Sequence, residues 1–111
     1  MANKPLVNAY ITGRKDGNDA PYVFKTVNLV WDTDVASQMA EENCKYVIKW
    51  IFDLKGSTLT IPKNCILEFD GGRFKNGSIV WDNTKVLNLY GCDIFQDIHE
   101  SGIRYTLGGN D

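Results

Sequence analysis

The amino-acid sequence predicts a mainly β chain: a short β-solenoid-like core, one short N-terminal helix and an extended N-terminal arm. Three observations predict it. A five-residue pattern, apolar-polar-apolar-polar-glycine, occurs as FDLKG, LEFDG and LNLYG, starting at Phe52, Leu67 and Leu87. Beyond Leu54 the apolar runs are only three to five residues long, and turns of two to six residues separate them. The runs also alternate apolar and polar side chains, as a half-buried strand does. Strands this short and this regularly spaced do not suit a sandwich. A spacing of 15 to 20 residues with several short strands per repeat points to a solenoid.

Taken in order, residues 1–21 are rich in breakers: Pro5, Gly13, Gly17, Asn18 and Pro21. Residues 6–12 have the composition for one short strand; otherwise the segment reads as an arm that orders against a partner. Residues 22–31, YVFKTVNLVW, are β-branched and aromatic and predict a strand. The WDTD that follows stops the strand and offers Asp32 or Thr33 as a helix N-cap. Val35, Ala36, Met39 and Ala40 then form a narrow apolar stripe, predicting a capping helix at about 33–42, ended by Glu41, Glu42 and Asn43. In KYVIKWIFDL, Tyr46, Ile48, Trp50, Phe52 and Leu54 fall on one face. Lys45, Val47, Lys49, Ile51 and Asp53 fall on the other. Short strands are predicted at 59–61, 66–69, 78–80, 86–89 and 93–95. The organisation that follows is an arm over 1–21, a solenoid-like domain over 22–97 and a partner-facing tail over 98–111.

Aligned on their glycines, the three copies place large apolar side chains at the first and third positions. Stacked coils then form two interior columns, Phe52/Leu67/Leu87 and Leu54/Phe69/Leu89. Gly56, Gly71, Gly72, Gly77 and Gly91 are the turn glycines, where the backbone bends sharply. A meander of hairpins is the alternative, because Asn76-Gly77 is also a good two-residue hairpin turn.

Composition narrows the function classes. The chain has 111 residues, enough for one domain. It is 43% apolar and 12% aromatic, as folded proteins are. A net charge of −2 without a basic stripe argues against nucleic-acid binding by bulk electrostatics. No window approaches the roughly 18 apolar residues of a membrane span, and residues 1–15 do not read as a signal peptide. Cys44, Cys65 and Cys92 lack metal-ligand spacing and His99 is the only histidine, so free thiols and no metal or cofactor are expected. Asn76-Gly77-Ser78 matches a glycosylation sequon and reads as a turn.

The run LTIPKNCILEFDGGRFKNGSIVWDNTKVLNLYG resembles the first coils of the pectate-lyase-like right-handed parallel β-helix superfamily. More narrowly, it is similar to β-helical appendage proteins, tail spikes or fibres, of phages and prophages from gut Bacteroidota. The residues that carry the likeness are Ile61-Pro62, Leu67, Phe69, Gly71, Gly72, Phe74, Asn76, Gly77, Ile79, Asn83 and Thr84. The preceding KYVIKWIFDLKG resembles the strand leading into that coil, so the likeness covers about residues 40–95. It implies a right-handed parallel β-helix whose first end is covered by the helix. It also implies a virion role, as a small fibre, a head decoration or an adaptor anchoring a larger fibre, in a homotrimer beside other virion proteins. Such a protein would be assembled in the cytoplasm of the bacterial host. The motif speaks for the fold, since enzymes and inert stalks share it.

Three function classes follow. For catalysis, the outward second positions give a ladder of Asp53, Glu68 and Asn88, and two carboxylates on neighbouring coils would approach a glycosidase pair. Lys55 and Asp70 share the next outward column, where Lys55 would offset both acids in a surface ion-pair cluster. Arg73 near Asp70 makes one pair, not the acidic calcium site of a polysaccharide lyase. Asp70-Gly71-Gly72-Arg73 has the look of an anion nest, yet no helix follows it. For glycan binding, Trp81 and Tyr90 lie at or beside turns, while Trp50 is expected in the core. The structural class, a non-enzymatic virion part, accounts for most features. A solenoid of few coils has two open ends with unpaired strand backbone, and so small a core is expected to oligomerise or dock.

Overall fold

The computed structural model describes residues 25–107. The arm over 1–21, with the strand expected at 6–12, lies outside the described residues, as do residues 108–111. Seven strands and one helix follow in order: β1 Lys25–Asn28, α1 Val35–Gln38, β2 Cys44–Ile48, β3 Ile51–Asp53, β4 Thr58–Thr60, β5 Ile66–Phe69, β6 Arg73–Asn88 and β7 Phe95–Thr106. Strand accounts for 57% of the described residues.

Every strand pairing is parallel, and partners lie one coil apart. Lys25 pairs with Cys44, Lys45 with Ile66, Ile66 with Lys85 and Lys85 with Tyr105. Ile51 pairs with Arg73 and Phe74 with Phe95, while Thr58 pairs with Ser78 and Ser78 with His99. Three strips of short parallel strands therefore face one another, and the chain winds through about four turns of a β-solenoid. The first strip holds β1, β2, β5 and the end of β6; the second holds β3 and the start of β6; the third holds β4 and the middle of β6. β7 runs beneath all three. A hairpin meander would pair consecutive strands antiparallel, and that alternative is excluded.

The interior is built of side chains stacked coil upon coil. Val27, Tyr46, Leu67 and Val86 occupy successive levels of the first strip. Phe52, Phe74 and Phe95 do so in the second. The Phe52 and Phe74 ring centroids are 5.9 Å apart, and Phe74 and Phe95 meet Phe69, and Phe95 meets Trp81, at 5.5 to 5.6 Å. Leu59 lies over Ile79 in the third. A fully buried apolar side chain of this kind contributes about 1.5–3 kcal/mol.

The columns expected from the glycine alignment are corrected. Phe52, Leu54, Leu67 and Phe69 are buried in the core, but Phe52 stacks on Phe74, not on Leu67. Val86, not Leu87, stacks on Leu67. Leu87 is buried in a separate cluster with Ile66 and Leu107, and Leu89 is 42% exposed. The reason is corner length. Phe69 lies two residues before Gly71, whereas the equivalent Asn88 lies three before Gly91, and one extra residue reverses the in-out parity. FDLKG belongs to a different corner altogether.

Two boundaries move as well. Residues 98–106 of the expected tail belong to the last described coil: β7 pairs with β6 along most of its length. The helix is four residues long, with Asp34 rather than Asp32 or Thr33 as N-cap; its carboxylate accepts from the Ser37 amide at 3.0 Å. The chain leaves the helix at Met39, and the Tyr46 hydroxyl then donates to the Glu41 carbonyl at 2.8 Å and accepts from its amide at 3.0 Å. Val35 and Met39 seat the helix on the core.

The strongest local regularity is a corner repeat. Asn43, Asn64 and Asn83 all adopt positive φ, at 58°, 62° and 52°. Each precedes a small interior residue, Cys44, Cys65 or Thr84, all buried. Asparagine is the non-glycine residue that tolerates this conformation best. Glycine is needed by close approach at Gly72, where a Cβ would stand 2.5 Å from the Trp50 carbonyl oxygen and 2.6 Å from its nitrogen. At Gly71 the requirement is conformational, with φ at 94°.

Candidate functional site: one end and one corner of the solenoid

The two ends of the stack differ. At the C-terminal end, alternation carries Glu100 and Arg104 to interior positions, under Ile79 and Thr84. They pair with each other at 2.8 Å. The Trp81 indole N–H donates to the same Glu100 carboxylate oxygen at 2.9 Å. The Arg104 guanidinium lies 5.4 Å from the Phe95 ring centroid and 5.8 Å from that of Trp81. The aromatic interior is thus closed by a charged plug with about a third of each side chain still in water. A further coil laid beneath it would bury the pair completely, which is costly.

At the N-terminal end, residues 31–36 stand across from β3 and β4 and leave a groove of about 550 Å³ between them. Among the described residues, β3 and β4 each pair only with β6, so their other edge faces this groove. Asp32, Asp34 and Asp53 line it, against one base, Lys55. Asp53 accepts from the Lys55 amide at 2.8 Å and from Asn76 at 3.4 Å, and these contacts hold its carboxyl below the usual carboxylate range.

The corner after β2 carries exposed aromatics. Trp31 is 68% exposed, Trp50 47% and Tyr90 65%. Trp31, Trp50, Ile51, Lys49 and Gly71 line a shallow, mostly apolar hollow of about 470 Å³. A hydrogen bond from Tyr90 to Asp70, and that carboxylate's charge, raise the Tyr90 phenol above its ordinary pKa.

This reassigns the residues expected to meet a glycan. Tyr90 is exposed, but Trp81 is 3% exposed and lies inside, with Gly102 packed directly under its backbone. Trp50, expected in the core, is outside: the strand breaks after Ile48, and the corner turns its side chain outward. The carboxylate ladder does not assemble. Asp53 lies beside Lys75 on the second strip. Glu68 lies on the first, 3.2 Å from Lys45. Asn88 turns into a corner, where its amide donates to the Cys92 carbonyl at 2.7 Å. Lys55 and Asp70 sit at different corners of the coil. Cys44 and Cys65 are buried free thiols and Cys92 an exposed one. Among the described residues no group of three or more His, Cys, Asp or Glu side chains is placed to hold a metal ion. No described helix is long and apolar enough to cross a membrane.

The plug and the groove were both missed from sequence. Glu100 and Arg104 carried a signal, being charged residues at alternate positions of a strand-like run. No protein-family model matches the chain, and no curated protein or solved structure matches it.

Proposed function

We propose that the chain is a non-enzymatic structural part of a phage virion: a small fibre, a head decoration or an adaptor that anchors a larger fibre. One observation carries the reading. The stack has one end closed by a charged plug and one end with a strand edge that no described residue pairs, beside exposed apolar side chains. Such polarity suits a part that docks in one direction and stops there. In this reading the partners are further copies of the chain, a homotrimer by the family resemblance, together with other virion proteins. The site of action is the virion, after assembly in the bacterial host cytoplasm.

Light scattering at two concentrations tests it. The expected result is a stable oligomer whose mass does not change on dilution. A monomer at both concentrations counts against the assembly role.

The exposed corner favours a second reading, a glycan-binding module of a phage receptor-binding apparatus. Trp31, Trp50 and Tyr90 offer flat apolar faces of the kind that sugar rings stack on. Binding of host capsule polysaccharide, lost in Trp50→Ala and kept in Leu89→Ala, would support it. Equal binding by both variants would remove it.

A further inference from the structure

We propose that the edge of β3 and β4 that no described residue pairs is a docking site for an extended, basic segment of a different protein, which adds to the solenoid as a strand. The proposal rests on the reading of the chain as an assembly part and names the chemistry of what it docks.

In a strand, successive residues direct their N–H and C=O groups to opposite edges. Trp50 and Leu54 bond to β6, through Arg73 N–H to the Trp50 carbonyl at 3.1 Å and Leu54 N–H to the Lys75 carbonyl at 2.8 Å. Ile51 and Asp53 therefore point the other way. Ser57 and Ile61 likewise bond to β6, through Ser78 N–H to the Ser57 carbonyl at 3.0 Å and Ile61 N–H to the Val80 carbonyl at 2.9 Å. That leaves Thr58 and Thr60 on the opposite edge, and Thr58 lines the groove. Ile51, Asp53 and Thr58 thus hold donors and acceptors toward the same channel. An extended peptide satisfies them at the usual spacing of about 4.8 Å, whereas a helix has no free backbone to offer.

The side chains then select the occupant. The groove has three carboxylates, from Asp32, Asp34 and Asp53, against the single ammonium of Lys55. A segment with lysine or arginine at alternate positions complements that field, and an acidic one is repelled. The intervening positions fall on the opposite face, the one that carries Phe52 and Leu59 in the groove lining, which calls for apolar residues there. The occupant is therefore an alternating apolar-basic strand. The C-terminal end does not compete for it, because its interior is closed by Glu100 and Arg104.

The test uses the full chain and a synthetic nine-residue peptide alternating valine and lysine. Backbone amide shifts and hydrogen exchange are followed by NMR. The expected result is saturable binding that slows exchange of the Ile51 and Asp53 amides. A valine–glutamate peptide should bind at least tenfold more weakly, and Asp32→Asn/Asp53→Asn should lose most of the preference and its salt dependence. A lysine peptide N-methylated on alternate amides should not bind. Equal binding by the lysine and glutamate peptides overturns the proposal, as does undiminished binding of the N-methylated one. Slow exchange at Ile51 and Asp53 before any peptide is added overturns it too, since the edge is then already filled by this chain or by a second copy. Absence of binding in a chain that light scattering shows to be oligomeric removes the strand-docking site alone and leaves the assembly reading standing.

Discussion

Phe74→Ala is the sharpest test of the stacking. Phe74 is fully buried on the middle coil, with its ring centroid 5.9 Å from Phe52 and 5.6 Å from Phe69. Truncation removes both ring contacts and leaves a cavity walled by neighbouring coils that cannot collapse without breaking their own pairing with β6. A buried Phe→Ala change costs about 3–5 kcal/mol, and loss of two aromatic pairs places this site toward the upper part of that range. For a domain of this size each kcal/mol shifts Tm by about 4–8 °C, so the expected fall is on the order of 20 °C. A thermal melt followed by circular dichroism measures that fall, and urea unfolding measures the free-energy loss, with an unchanged slope confirming that the same surface unfolds. Leu89→Ala is the control: Leu89 is 42% exposed, and its loss should stay within about 0.5 kcal/mol. If Phe74→Ala does not fold, Phe74→Leu reports the same site at a smaller cost, about 1–1.5 kcal/mol. Equal effects of the Phe74 and Leu89 variants, or a larger effect at Leu89, would show that the inward parity is wrong.

Three further outcomes are expected. Gly72→Ala should destabilise by about 3 kcal/mol or prevent folding, because the new methyl meets the Trp50 backbone rather than a movable side chain; a melting curve like that of the parent would refute the close approach. Asn64→Ala should cost about 1–2 kcal/mol through its left-handed backbone, while Asn64→Gly should be nearly neutral by chemical denaturation. Burial raises the Cys65 thiol from 9.0 to about 11 and also lifts the Tyr46 hydroxyl above 10.0. The folded state therefore holds these protons more tightly than the unfolded chain. The associated stability is whole below about pH 9 and declines as pH rises toward 11 and beyond. Cys65→Ser should flatten the first part of that decline in a pH series of urea midpoints, and an unaltered slope would remove the thiol as its cause.

What the sequence contained was local. Alternation placed Tyr46, Ile48, Trp50, Phe52, Leu54, Leu67, Phe69, Leu87 and Leu89 inward; Trp50 and Leu89 are exposed, Leu87 is buried outside the main core, and the other six are buried in it. Short runs between turn residues identified the solenoid. A better phase marker was also present: Asn43-Cys44, Asn64-Cys65 and Asn83-Thr84 recur at the same corner, each with a left-handed asparagine. The glycine-based alignment overlooked it, because glycine serves several corners for different reasons.

Which coil lies on which was decided by the tertiary structure. Parity along one strand says only in or out. Partner choice depends on the residues spent at each corner, and that number varies: Lys25 and Cys44 are 19 apart, Ile51 and Arg73 are 22 apart, and a bulge at Asp82/Thr84 shifts the last register again. A single added corner residue exchanged Leu87 for Val86 in the core and put Leu89 into solvent. The ends are likewise beyond local reading. Glu100 and Arg104 look like ordinary surface charges until the last coil brings them together across the interior, beneath Trp81 and beside Phe95. Backbone dihedrals and side-chain alternation are set by near neighbours in the chain, so the sequence determines them. The plug and the open groove are made by residues brought together from different coils, so only closure of the whole stack determines them.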